Sequence, residues 1–154
     1  MKSILKNFYQ ILKNNLFLIF LLSFATLFSI LYQGYYFGQN DTAIYIPYLK
    51  SLTDGFLYPN DILITTWKSV YFANLWNILS ILINVFPIEP LLLFLHVIFR
   101  FLFFLVLYFL ALEIFRDKKL AIFAIVLWFI PKPSLGFDIF YNEFTQSSIA
   151  YPFL

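Results

Sequence analysis

The sequence has no cysteine. Disulfides, thiol catalysis and thiolate metal sites are therefore excluded. It has a single histidine, His96, which cannot build a histidine-rich metal centre alone. No glycine-rich phosphate loop, Ser-His-Asp set or zinc-ligand spacing occurs. Charge is also scarce: 12% of the 154 residues are charged, where a soluble domain carries about a quarter. So little polar surface cannot coat a water-soluble globule. The net charge of +2 is too small to point to nucleic acid. What the chain does have is apolar bulk, with 62% hydrophobic and 23% aromatic residues. This composition excludes disorder and leaves an integral membrane protein, with lipid in place of water around the apolar surface.

The expected fold is an all-α membrane protein, with several spanning helices and an external loop that carries juxtamembrane helices. Residues 1–15 hold Lys2, Lys6 and Lys13 and no acid, which reads as a cytoplasmic flank. A first span is expected over 16–36, anchored by a basic start with no small-residue cleavage site behind it. Gly34, Gly38 and the tyrosines around them mark its exit. Residues 38–66 read as a polar external loop, with turns at Asp54-Gly55 and Pro59-Asn60-Asp61. Asp41 and Thr42 are placed to cap a short helix running to about Leu52.

Residues 67–86 are apolar enough to span, but Ser69, Asn74, Asn77, Ser80 and Asn84 fall within a ~140° arc at ~100° per residue. A polar stripe on an otherwise apolar helix suits the membrane interface. Charge agrees. If 67–86 crossed, Arg116, Lys118 and Lys119 would lie outside; if it lies flat, 90–115 becomes the second span and returns them to the cytoplasm. A third span is expected over 119–137, kinked at Pro131 and Pro133, and a fourth begins near Ile149. The chain ends Ala150-Tyr151-Pro152-Phe153-Leu154 without a polar tail, so residues 1–154 read as the amino-terminal portion of a larger polytopic protein.

Asp41, just past the first span and followed by Tyr45, is the first chemical candidate. A carboxylate among apolar neighbours gains basicity, as general-base work requires, although Asp is also a preferred helix cap. Arg100 lies inside the second span with His96 one turn earlier on the same face. Together they present a cationic patch suited to a lipid phosphate; the competing reading is a snorkelling or ion-paired arginine. Asp138 and Glu143 return to the outer side after the third span, where they would share base or metal-binding work with Asp41 or stay solvated. Lys132 places a further cation at that interface.

The order of these features resembles the amino-terminal part of GT-C-type polytopic glycosyltransferases, the group that includes protein O-mannosyltransferases and aminoarabinose transferases. The matching stretches are Asp41-Thr42-Ala43-Ile44-Tyr45, Asp54-Gly55-Phe56-Leu57-Tyr58-Pro59, Tyr71 to Trp76, and Arg116-Asp117-Lys118-Lys119-Leu120-Ala121. Two features depart from the family pattern: Thr42 stands where the family has a second acid, and the later Asp-Pro pair is absent. The resemblance implies sugar transfer from a polyprenyl-phosphate donor to an acceptor on the outer face of a bacterial plasma membrane. Asp41 would be the base, with Glu143 or Asp138 as second acid. By charge and depth, Arg100, His96 and Lys132 are the expected phosphate partners, with Tyr45 beside the substrate. A divalent cation is an alternative means of stabilising the departing phosphate. A non-catalytic polytopic protein of the same architecture and a transporter fragment are the rival readings.

Overall fold

The computed structural model describes residues 15–38, 42–70 and 74–129. Within them it is all helical. The helices are α1 (Leu16–Gln33), α2 (Thr42–Thr53), α3 (Ile62–Val70), α4 (Asn74–Leu82), α5 (Ile88–Phe115) and α6 (Lys118–Trp128). At 1.5 Å per residue the 28 residues of α5 extend about 42 Å, and the 18 of α1 about 27 Å. Among the described residues, α5 is the one helix long and apolar enough to cross a membrane.

The buried face of α5 is narrow. Leu92, His96, Arg100, Phe104 and Tyr108 recur every fourth residue, with Ala111 continuing the line. Only 33% of the helix's apolar stretch is buried. The other faces expose Phe94, Phe109, Leu110 and Ile114. In α1, Phe17, Phe20, Phe24 and Leu31 are exposed in the same way. A core helix of a water-soluble protein shows the reverse balance.

Two apolar clusters hold the chain together, and α5 belongs to both. The first joins Leu22 and Ala25 of α1, Phe104, Tyr108 and Ala111 of α5, and Ala121 and Ile125 of α6. Its small residues let the three helices approach closely. Phe129, just past α6, wedges between the other two: its ring lies 5.2 Å from Phe28 edge-on and 5.7 Å from Phe104, stacked. Beside it, Phe103 and Trp128 meet at 4.8 Å. The second cluster sits at the amino end of α5. Leu92 meets Ile46, Tyr48 and Leu49 of α2 and Trp76 and Leu79 of α4 there, so the short helices cap that end.

Several boundaries differ from the sequence reading. The first helix stops at Gln33, where Gly34 takes φ 82° and its N–H donates to the Ile30 carbonyl at 2.8 Å. A positive φ is a conformation glycine adopts freely, and it ends the helix before residue 36. The helix expected to begin at Asp41–Thr42 runs Thr42–Thr53. The segment expected to begin at residue 67 begins at Ile62, because an Asp61 carboxylate oxygen accepts from the Ile64 N–H at 3.1 Å and so acts as a cap. The described parts of 67–86 belong to more than one helix. They are divided between α3 and α4, and then turn through Asn84, Val85 and Phe86. The long helix starts at Ile88, with Pro90 in its first turn, where no intrahelical N–H is needed. The third apolar segment is helical over Lys118–Trp128; the kink expected at Pro131 and Pro133, and the fourth span, lie outside the described residues.

Two residues join α5 to α6. Arg116 is left-handed at φ 54° and donates its N–H to the Leu112 carbonyl at 2.8 Å. Asp117 then caps α6, its carboxylate accepting from Lys119 N at 2.6 Å and Leu120 N at 3.4 Å. Asp117→Ala is expected to cost about 1 kcal/mol, and Asp117→Ser to recover most of it. Equilibrium unfolding in mixed micelles reads both, and equal losses would show that capping is not the cause.

Candidate functional site

The stripe along α5 is apolar except for His96, Arg100 and Tyr108. His96 and Arg100 fall between the two clusters, with Leu92 above and Phe104 below. Both are 3% exposed. Their i, i+4 spacing stacks them on one helix face, and that face meets α1.

On α1 the facing residues are hydroxyls. Arg100 Nη1 donates to Ser29 Oγ at 3.3 Å. Ser29 Oγ donates its own proton to the Thr26 carbonyl at 2.8 Å, which leaves its lone pairs directed at the guanidinium. Thr26 Oγ1 in turn donates to the Leu22 carbonyl at 2.8 Å. The hydroxyl protons are thus consumed along α1, and Ser29 acts toward Arg100 as an acceptor. Beyond Gly34 the chain turns back, and the Tyr35 ring lies 5.3 Å from the His96 imidazole. The result is a buried polar layer of Thr26, Ser29, His96 and Arg100, flanked by Tyr35. Its charge is that of Arg100, and a guanidinium has the chemistry to receive a phosphate or carboxylate.

His96 and Arg100 thus share the buried face of α5, and Arg100 is packed inside the protein instead of snorkelling outward. Tyr45 belongs elsewhere. Its ring stacks on Trp76 at 4.8 Å and lies 5.4 Å from Trp67 in the cap, and Tyr48 meets Trp67 edge-on at 5.8 Å. Trp76 Nε1 is buried there with no hydrogen-bond partner among the described residues. Asp41, Lys132, Asp138 and Glu143 lie outside the described residues. Among the described residues no group of three or more His, Asp or Glu side chains converges to hold a metal ion.

The sequence alone gives Ser29 and Thr26, two hydroxyls in an apolar run, no evident role. The available signal was their company. Ala25, Thr26 and Ser29 form a small-residue patch on α1, and a patch of that kind marks a helix contact face. No family model matches the chain, and neither a curated protein nor a solved structure matches it.

Ser29→Ala deprives the guanidinium of an acceptor in a buried seam. The expected loss is about 1–2 kcal/mol in unfolding free energy, since hydrogen bonds to charged groups exceed neutral ones. Thr26→Val keeps volume and removes only a hydroxyl that folds back on its own helix, so a smaller loss is expected. Equal losses in the same denaturation assay would mean that the Arg100 contact adds nothing.

Proposed function

We propose that the chain is the amino-terminal, membrane-embedded portion of a polytopic glycosyltransferase of the GT-C type. Its donor is a sugar carried on a polyprenyl phosphate, and transfer takes place on the outer face of a plasma membrane. The observation that carries the reading is the layer of His96 and the charged Arg100, buried in a long apolar helix directly beneath a cap of short helices.

Three further features support it. The exposed faces of α1, α5 and α6 are apolar, through residues such as Phe20, Phe109 and Phe123, and lipid is the solvent that suits them. Six of the ten basic residues, Lys2, Lys6, Lys13, Arg116, Lys118 and Lys119, fall at the two sequence positions that a cytoplasmic amino terminus and an outward cap require. Neither α3 nor α4, at nine residues and about 14 Å each, is long enough to cross ~30 Å of hydrocarbon. In this proposal α4 lies in the interface, with Trp76 and Leu79 buried on one face and Asn77, Ile78 and Ile81 exposed on the other.

In the proposed reaction a carboxylate takes the acceptor's proton as the acceptor attacks the anomeric carbon, and cations stabilise the departing lipid phosphate. Asp41 has the base role, with Asp138 or Glu143 as second acid. Arg100, His96 and Lys132 are the phosphate partners. The transporter alternative needs Arg100 on an aqueous path. Its 3% exposure and its bond to Ser29 count against that role. The non-catalytic alternative rests on Thr42, which stands where the resembled family has its second acid and is itself buried.

Reporter fusions after Thr66 and after Pro87 are expected on the outer side, and a fusion after Lys119 in the cytoplasm. Thr66 and Pro87 on opposite sides would remove the interfacial cap. In the full-length protein, Asp41→Asn is expected to lower transfer from a lipid-linked sugar by about a hundredfold or more, the scale of general-base catalysis. Unchanged transfer would reject the base assignment.

A further inference from the structure

At the end of α5 farthest from the cap, the seam between α1, α5 and α6 holds a cavity of about 400 Å³. Its polar lining comes from Asn15, Tyr108 and Lys118; its remaining walls are aliphatic or aromatic, Leu18 and Leu105 among them. Along α6, Ile122 is shared with a second groove of about 290 Å³. That groove is lined entirely by apolar side chains, including Phe24, Phe28 and Phe129. Polar groups therefore stand in the first opening alone, and Ile122 borders both.

We propose that this seam binds an anionic phospholipid, with the phosphate beside Lys118 and one acyl chain along the α1–α6 groove. The occupant's chemistry follows from the lining. A small anion would leave the apolar walls unfilled, and a plain hydrocarbon would leave the lysine without a use. Only an amphiphile matches both ends, and the sign of its head group is set by charge. Lys118 stands between Arg116 and Lys119 in sequence, while the carboxylate of Asp117 is engaged by the backbone N–H groups of α6. A basic pocket between helices at the cytoplasmic boundary selects anionic head groups. The inference rests on the membrane reading and is independent of sugar transfer, because this seam lies at the opposite end of α5 from the cap.

The test uses the full chain in nanodiscs of equimolar phosphatidylglycerol and phosphatidylcholine, released into mild detergent, with retained lipids counted by native mass spectrometry. The wild type is expected to retain phosphatidylglycerol about fivefold over phosphatidylcholine, the preference that one basic residue supplies at a membrane surface. Lys118→Gln should bring the ratio close to one, whereas Lys50→Gln in α2 should leave it as it is. Ile122→Trp, which adds bulk at the residue that lines both cavity and groove, should lower retention of both lipids with helix content unchanged by circular dichroism. Equal retention of the two lipids by the wild type overturns the proposal, as does an unchanged ratio in Lys118→Gln. So does the absence of any retained lipid, the result expected if another segment of the chain fills the seam. Failure of the membrane reading shows separately, as release of the chain from native membranes by alkaline carbonate.

Discussion

A guanidinium inside a helix–helix seam must find acceptors or impose a cost of several kcal/mol, and that constraint orders the middle of this molecule. Arg100 meets it by reaching across to Ser29, whose own proton is already given to the Thr26 carbonyl. The contact ties the register of α1 to that of α5. It also separates the apolar packing into two clusters, since neither can extend through a layer that contains His96 and Arg100. A leucine at residue 100 would have merged them. An arginine there keeps a charged layer at a set depth, the property on which the proposed phosphate role depends.

The cap follows from the same helix. Isolated helices of nine residues are unstable in water, so α3 and α4 depend on their packing. Trp76 and Leu79 supply it for α4, against Tyr48 and Leu49 of α2 and Leu92 of α5. The aromatic contacts of Tyr45, Tyr48, Trp67 and Trp76 lock the short helices to one another. Tyr45 thus stabilises the cap, and any part it takes in substrate contact would come through the position of that cap.

The helix over Thr42–Thr53 was legible because polar capping residues precede it and Asp54-Gly55 closes it. The long helix was legible from apolar length, and the His96–Arg100 pair from helical spacing. Boundaries set by a single side chain or a single dihedral were harder. Asp61 follows Pro59-Asn60 and reads as a turn, yet its carboxylate starts α3. Gly34 sits in a run of tyrosines that reads as an interfacial belt, yet its positive φ ends α1. The polar arc from Ser69 to Asn84 keeps one period throughout, and periodicity alone gives no sign that two helices divide it. Ser29 was invisible as a site residue because a hydroxyl in an apolar run shows its purpose only when the facing helix is known.

The turn at Arg116 and Asp117 has a mechanical corollary. With only two residues between them, α5 and α6 have no slack for independent sliding, and the Phe103–Trp128 and Phe104–Phe129 ring contacts clamp the far end of the pair. Any piston-like travel of α5 would therefore carry α6 with it as one rigid hairpin. Such a stroke would shear the Phe28–Phe129 edge contact and the Arg100–Ser29 bond in concert, so these two contacts index the hairpin against α1.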